Sequence, residues 1–215
     1  MDQNLLYSIN RDWTTPWLDT VMAAASSWAA WWPLVLIAGL LVIIFGGFRG
    51  RSYIFCCLVS VALVDGFMTN SIKKLVGRPR PHMVMPEVRQ VDLVKATPRI
   101  LAVLQPVKVH LSTPQIRPVR GASFPSGHTA NNFCIATVTF IFFRRWGWVF
   151  YFPAALVAWS RVYVGSHWPS DVFITIFLSV GFTLLILAYL AAIWKRLAPH
   201  FLPRFSTNHP HLIPT

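Results

Sequence analysis

Five long apolar runs divide this chain of 215 residues and limit what it can fold into. Each run is close to the ~20 residues that an α-helix needs to cross the hydrocarbon core of a bilayer. Charged residues make up only 12% of the chain, whereas a soluble domain carries about 25%. The sequence therefore predicts an all-α integral membrane protein with a single domain over residues 1–215. The predicted spans are about 31–48, 53–72, 126–143, 147–164 and 171–194.

Residues 4–27 form a sixth and more polar segment. Trp13 and Trp17 stand there among charged residues such as Asp12 and Asp19. Tryptophan concentrates at head-group depth, where amphipathic helices lie in the plane of the membrane. We expect an N-terminal interfacial amphipathic helix, followed by a bundle of five transmembrane helices, or six if residues 4–27 also cross.

One long extramembrane loop, residues 82–122, separates the second run from the third. It contains two short alternating stretches, 88–94 and 107–111, which we interpret as extended segments or a small hairpin. A loop of this length is typically a lid, a recognition element or a disordered segment. Its positive charge would attract an anionic head group. The basic residues are Arg89, Lys95, Arg99, Lys108, Arg117 and Arg120.

The short loops indicate the orientation of the bundle. If the five runs alternate in direction, the basic short loops share one side of the membrane. They contain Arg49, Arg51, Arg144, Arg145, Lys195 and Arg196. The positive-inside rule makes that side cytoplasmic. The opposite side then carries three polar segments, residues 73–81, 124–128 and 160–171, which we expect to face the periplasm or the cell exterior.

The third of these polar segments holds residues that need a use in a membrane protein. Arg161, His167 and Asp171 lie within it, and each would be costly in hydrocarbon. A neutral imidazole can act as a nucleophile, and a carboxylate behind it can fix its tautomer. A guanidinium binds phosphate oxygens in pairs. The segment therefore indicates phosphate chemistry.

The other two segments fit the same chemistry. Lys73 and Arg80 add two cations that can neutralise a transferring phosphoryl group. Ser126 and Gly127 open a helix, so their backbone N–H groups can point at a phosphate, and the Ser126 hydroxyl can add a hydrogen bond. His128 follows directly, where it would protonate the leaving alkoxide and then activate water.

Spacing and order together carry a resemblance to a known family. The patterns are Lys-x6-Arg-Pro from Lys73, Pro-Ser-Gly-His from Pro125 and Ser-Arg-x5-His-x3-Asp from Ser160. In these segments the sequence resembles the type 2 phosphatidate phosphatase family, which shares its active site with vanadium haloperoxidases and glucose-6-phosphatase. The segments span nearly half of the chain, in family order. The N-terminus departs from the family, because many bacterial members have six spans.

The resemblance implies a metal-independent membrane phosphatase that hydrolyses a lipid phosphate monoester or diphosphate through a phosphohistidine. His167 would be the nucleophile, His128 the general acid and base, and Asp171 would orient His167. The implied phosphate ligands are Lys73, Arg80, Ser126, Gly127 and Arg161. The resemblance implies no metal and no cofactor. We expect Lys74 and Arg78 to be charges at the rim of the site, near the phosphate, and not direct ligands.

The implied partners are the bilayer and a membrane lipid phosphate, with no nucleic acid, and the oligomeric state stays open. Candidate lipids are phosphatidate, phosphatidylglycerol phosphate, undecaprenyl phosphate or pyrophosphate, and lipid A types. The implied location is the bacterial inner membrane, with the site facing the periplasm. Two other functions stay open: a lipid phosphotransferase with the same intermediate, and a non-catalytic phospholipid-binding or transport protein.

Each segment taken alone also has a structural interpretation. The basic run from Lys73 to Arg80 is typical of an interfacial anchor, and Ser126 of a helix cap. Arg161 and Asp171 could form an ion pair between helix ends. The alignment of all three segments favours the catalytic interpretation. Asp65 and Asn70, inside an apolar run, should face protein as helix-packing polar residues.

Overall fold

The computed structural model describes residues 1–114 and 122–214, and it is mostly helical. The N-terminal part contains α1 (Asp2–Tyr7), a π-helical turn (Ser8–Asp12), α2 (Pro16–Ser26) and α3 (Trp28–Phe45). Then come α4 (Gly47–Leu63), a second π-helical turn (Val64–Thr69), α5 (Asn70–Val76) and α6 (Pro81–Val84). The middle contains β1 (Arg89–Asp92), a 3-10 helix (Arg99–Leu104) and β2 (Lys108–Leu111). The C-terminal part contains α7 (Gly127–Phe142), a 3-10 turn (Gly147–Phe150), α8 (Tyr151–Tyr163), α9 (Pro169–Phe201) and α10 (Pro203–Asn208).

Three helical stretches in the described part are long and apolar enough to cross a membrane by length and composition. They are Trp28–Phe45, Gly47–Val84 and Pro169–Phe201. Helices α7 and α8 occupy the third and fourth predicted spans with 16 and 13 residues. Helix α7 packs against α4, α8 and α9. It lies at the centre of the bundle, and neighbouring helices rather than lipid cover most of its surface.

Small residues let α7 and α9 approach closely. Ala130 and Cys134 on α7 and Ser179 on α9 are fully buried. The Ser179 hydroxyl donates a hydrogen bond to the Ala130 carbonyl over 2.6 Å. Such contacts replace the hydrophobic driving force that helices lack inside lipid. They hold the N-terminus of α7 beside that of α9, where the polar segments lie.

The N-terminal segment packs against α8 instead of forming a long helix. Its helices α1 and α2 have six and 11 residues, and 11 residues of helix reach only ~16 Å. Leu6, Ile9 and Met22 are buried, whereas Trp13 and Trp17 are 55% and 67% exposed. The segment is thus amphipathic, and neither α1 nor α2 alone reaches the length that a single helix needs to cross the hydrocarbon core. Its location at the membrane interface stays a prediction.

A buried asparagine fastens this segment to the rest of the fold. The Asn10 side chain is fully buried and donates to the carbonyls of Tyr163, over 2.6 Å, and Arg89, over 2.8 Å. Its own carbonyl accepts the Arg89 N–H over 2.8 Å. Asp19 adds an ion pair with Arg89 over 2.7 Å and accepts the Tyr163 hydroxyl. The first 20 residues therefore brace both β1 and the end of α8.

The two alternating stretches of the long loop form a two-stranded antiparallel sheet. Arg89 faces Leu111, and Asp92 faces Lys108. Val88 and Arg89, at the start of β1, pack against Gly165, which follows α8. Gly165 has φ +70°, and a Cβ there would lie 2.5 Å from Val88 Cγ1 and 2.7 Å from the Arg89 carbonyl oxygen. Only glycine suits this position, because it accepts both the backbone conformation and the close approach.

Candidate active site

The three polar segments converge at one end of the bundle. The Trp168 indole N–H donates to the Pro79 carbonyl over 2.9 Å, and His82 Nδ1 lies 3.1 Å from the Gly165 carbonyl oxygen. These contacts join the first segment to the third. The Ser123 N–H donates to the Arg78 carbonyl over 2.9 Å and joins the second segment to the first.

Ser123 is the residue that connects all three segments, and the sequence analysis missed it. It is fully buried. Besides its bond to Arg78, its carbonyl lies 2.6 Å from His167 Nδ1, and its hydroxyl donates to Asp171. Ser123 lies two residues before the Pro-Ser-Gly-His pattern, which starts at Pro125, and belongs to no motif of its own, so no local signal could have identified it.

His167 lies under this junction with one ring nitrogen held. A carbonyl oxygen can only accept, so Nδ1 must carry the proton and donate it to Ser123. The other nitrogen, Nε2, then keeps its lone pair. The pKa of His167 lies well below its usual range, first because the imidazole is buried and then because Arg161 and Arg80 are close. His167 is therefore neutral and can act as a nucleophile at neutral pH.

Asp171 contacts His167 through Ser123 rather than directly, which differs from the expected arrangement. Its buried carboxylate accepts the Ser123 hydroxyl and the Trp168 N–H, the latter over 3.2 Å. Its other oxygen accepts Arg78 Nη1 over 2.5 Å. Asp171 lies in the first turn of α9, where its carboxylate turns back to the helix start. This capping geometry leaves the Ser123 carbonyl as the Nδ1 partner of His167.

Arg78, expected as a charge at the rim of the site, also belongs to the framework that holds the site together. Its guanidinium forms ion pairs with Asp171, over 2.5 Å, and Asp2, over 2.7 Å. It also lies 5.0 Å from the centre of the Trp168 ring. Asp2 accepts two further bonds from Ser170. Burial alone would raise the pKa of the Asp2 carboxyl. The hydrogen bonds from Ser170 and Arg78 outweigh that effect and hold this pKa below its ordinary value.

Three other cations have no such partners. Within the described part of the chain, Lys73, Arg80 and Arg161 form no ion pair. Arg161 is 9% exposed, and its Nε has no hydrogen-bond partner although Nη1 donates to Ser26. Burying a cation is costly unless something pairs with it. Uncompensated cations beside His167 therefore favour an anionic ligand.

Ser126, Gly127 and His128, at the start of α7, differ in which of their polar groups are already hydrogen-bonded. Ser126 caps the helix: its hydroxyl accepts the Thr129 N–H, and its own N–H donates to Thr175 over 3.1 Å. The expectation that this N–H is open to phosphate therefore does not hold in the structure. Gly127 is partly exposed, and the His128 imidazole, also partly exposed, makes no hydrogen bond to any described residue. Gly127 and His128 thus remain available to a ligand.

The remaining candidates lie apart from this centre. Lys74 is exposed, and Arg89 is paired with Asp19. Arg117 and Arg120 lie outside the described residues, as does the side chain of Arg99. Over residues 1–114 and 122–214, no group of three or more His, Cys, Asp or Glu side chains could hold a metal ion.

Comparison with known proteins gives the family. The PAP2 superfamily pattern matches residues 53–195, well over half of the chain. This chain belongs to the PAP2 superfamily. Lipid A 4'-phosphatase of Bacteroides thetaiotaomicron is 31% identical over 163 residues, which cover 73% of this chain and 63% of that protein. Undecaprenyl-diphosphatase of Sulfolobus acidocaldarius is 43% identical over 51 residues, or 23% of this chain and 25% of that protein. The matches thus span less than two thirds of either relative.

Two solved structures share the fold of this PAP2 protein. The crystal structure of Aquifex aeolicus LpxE has a TM-score of 0.57 at 23% identity and covers 87% of this chain and 94% of that one. The transmembrane PAP2 type phosphatidylglycerolphosphate phosphatase from Bacillus subtilis has a TM-score of 0.54 at 20% identity and covers 91% and 88%. At these identities the likeness supports the architecture of the PAP2 bundle, and the chemistry has to be argued from the site.

Proposed function

We propose that this PAP2 protein hydrolyses a lipid phosphate monoester or diphosphate through a phosphohistidine on His167, without a metal ion. One observation carries the proposal: a buried histidine with a lowered pKa lies beside cations that form no ion pair within the described chain. A dianionic phosphate would compensate those charges. Its phosphorus would then lie within reach of His167 Nε2.

In the first step His167 Nε2 attacks phosphorus while the bond to the lipid oxygen breaks on the opposite side. Lys73, Arg80 and Arg161 neutralise charge on the three equatorial oxygens. His128 gives its proton to the leaving oxygen, so the lipid departs as an alcohol or, from a diphosphate, as a lipid monophosphate. The product on the protein is a phosphohistidine.

In the second step water attacks the phosphohistidine. His128, now neutral, removes a proton from that water, and the bond between phosphorus and Nε2 breaks. Inorganic phosphate leaves, and His167 and His128 return to their starting states. The backbone N–H of Gly127 would donate a hydrogen bond to the phosphate. The Ser126 hydroxyl would donate its own O–H to the phosphate as a second hydrogen bond.

The apolar helices support a lipid substrate, because a site at the end of membrane helices can be reached from the bilayer. The relatives are named for lipid A and undecaprenyl diphosphate, and one structural neighbour for phosphatidylglycerol phosphate. A cavity of about 390 Å³ at the other end of the bundle is lined by Arg49, Arg144 and Arg145. Their positive charge supports a cytoplasmic location for that end and a periplasmic site, in a bacterial inner membrane.

The test is phosphate release by the purified protein in detergent with EDTA, over a panel of lipid phosphates and diphosphates. We expect release from one lipid class, loss of release in His167→Ala, and normal release in His200→Ala, which removes an exposed histidine far from the site. Helical circular dichroism and the size-exclusion profile check that His167→Ala is folded. Release by a folded His167→Ala protein would disprove the proposal.

A second readout separates the steps. Brief exposure to ³²P-labelled substrate should leave an acid-labile label on the wild type and none on His167→Ala. In His128→Ala the label should decay slowly, since no base activates water. If the label moves to added glycerol faster than to water, the protein is a phosphotransferase. If neither label nor release is found, a binding or transport function is favoured.

A further inference from the structure

Asp65 is a carboxylate beside the proposed phosphate site that the mechanism above does not use. It lies in the π-helical turn Val64–Thr69 that joins α4 to α5. Both Asp65 and Asn70 are exposed, so neither is buried between helices as a packing residue, although the Asp65 carboxylate faces the start of α7. An exposed carboxylate in an apolar helix is costly and calls for a function.

The position of Asp65 is close to the start of α7. A Cβ built on Gly127 would lie 3.4 Å from Asp65 Oδ1 and 3.7 Å from Lys73 Nζ. The two charges therefore flank the residue that offers its N–H to the phosphate. Asp65 makes no ion pair within 4.0 Å and no side-chain hydrogen bond among the described residues. It interacts electrostatically with both Lys73 and His128.

The proposed role of His128 would put Asp65 on the leaving-group side of the site. His128 is the proposed donor to the oxygen that leaves, so a group that acts on His128 faces the lipid part of the substrate. The π-helical turn holds one more residue than a regular turn, and such turns are often found at functional sites. Here the turn carries the carboxylate.

A bare carboxylate at this point repels an anionic group and attracts a hydrogen-bond donor. A diphosphate would bring a second phosphate here as its leaving group, and that phosphate would be repelled. A phosphate on a sugar or glycerol would bring a hydroxyl or amide N–H, which a carboxylate accepts strongly.

We infer that Asp65 selects the substrate by accepting a hydrogen bond from a hydroxyl or amide N–H of the leaving group, next to the phosphate ester. The inference rests on the proposed function and makes it narrower. The substrate class is a lipid phosphate monoester on a polyol or sugar head group. Polyprenyl phosphates and diphosphates, which have no such donor, are disfavoured.

The experiment measures kcat/KM for two substrates with each of two proteins. The substrates are phosphatidylglycerol phosphate and its analogue without the free head-group hydroxyl, and the proteins are wild type and Asp65→Ala. With the hydroxyl present, kcat/KM should fall ~10- to 100-fold in Asp65→Ala, as expected for a lost hydrogen bond to a charged group. With the hydroxyl absent, the two proteins should be equal. For undecaprenyl diphosphate, Asp65→Ala should equal or exceed the wild type.

The control variant is Asn70→Ala, which removes another exposed polar side chain near the same turn and should change none of these values. An equal loss on every substrate would overturn the inference and make Asp65 a support for Lys73. No loss on any substrate would also overturn it. Failure of the proposed function looks different, because the wild type would then release no phosphate from any lipid, or folded His167→Ala would still release it.

Discussion

Replacing Asp171 with asparagine tests how His167, the proposed nucleophile, is held in place. The fully buried carboxylate accepts bonds from Ser123, Trp168 and Arg78. An amide of the same shape keeps one acceptor oxygen and loses the ion pair. Removing one partner from a buried ion pair typically costs about 3–5 kcal/mol. Arg78 keeps Asp2 at 2.7 Å, and its side chain is 34% exposed, so we expect a smaller loss in the free energy of unfolding, about 2 kcal/mol.

The expected effect on turnover follows from the contact on His167. In a triad whose carboxylate touches the histidine directly, the change to asparagine lowers kcat by about 10⁴-fold, because the histidine adopts the wrong tautomer. Here the Ser123 carbonyl holds the Nδ1 proton at 2.6 Å, and the substitution leaves that carbonyl in place. We therefore expect kcat to fall by about tenfold, or about 1.4 kcal/mol, with KM nearly unchanged.

The assay is steady-state phosphate release together with the rate of ³²P-phosphohistidine formation. The matched control is Asp2→Asn, which removes the other carboxylate from Arg78 without touching Ser123, and should lower stability but leave kcat unchanged. A loss above about 10³-fold in a folded Asp171→Asn protein would mean that the carboxylate acts on His167 directly. An equal loss of kcat in Asp2→Asn would mean that Arg78, and not Ser123, transmits the effect.

Two further predictions concern the frame of the site. Gly165→Ala should lower the free energy of unfolding by about 2–4 kcal/mol, because Gly165 has a positive φ and a Cβ there would lie 2.5 Å from Val88. The control is Gly181→Ala, because a Cβ on Gly181 would meet nothing within 4 Å. Equal stability of the two variants would contradict the packing argument. The lowered pKa of His167 means that the unfolded chain binds more protons than the folded one below pH ~6.5. The wild type should therefore lose stability relative to His167→Asn as the pH falls below that value and not above it, and parallel pH profiles would refute a neutral His167.

Much of the helical framework could be predicted from the sequence because hydropathy is a local property. The predicted span 126–143 corresponds to α7, Gly127–Phe142, and the run 171–194 lies inside α9. The convergence of the polar segments could also be predicted, since alternating helices bring every second loop to the same end. Neither inference requires knowledge of a particular side-chain contact.

The partners of the charged residues could not be predicted in the same way. Arg78 pairs with Asp2, 76 positions earlier, and Asp171 bonds to Ser123, 48 positions earlier. No periodicity links residues so far apart, and aspartate at a helix start is equally suited to capping or to catalysis. The sequence predicts that Asp65 packs against protein, because the rule for polar residues in spans does not distinguish a packed interface from the open edge of a site.

The contacts of Asn10 and Ser123 also determine how late during synthesis of the chain the site can form. Asn10 bonds to Tyr163 across 153 positions, and Asp2 bonds to Ser170 across 168. During synthesis the first helices must wait for α8 and the start of α9 before these loops can close, and long loops close late because their entropy is lost before any contact forms. A chain interrupted before α9 would contain His167 and Ser123 but would lack Ser170 and Asp171, which pair with Asp2, Arg78 and Ser123. The site is therefore complete only after the start of α9 has been inserted, and the proposed activity would report that the chain has reached this stage.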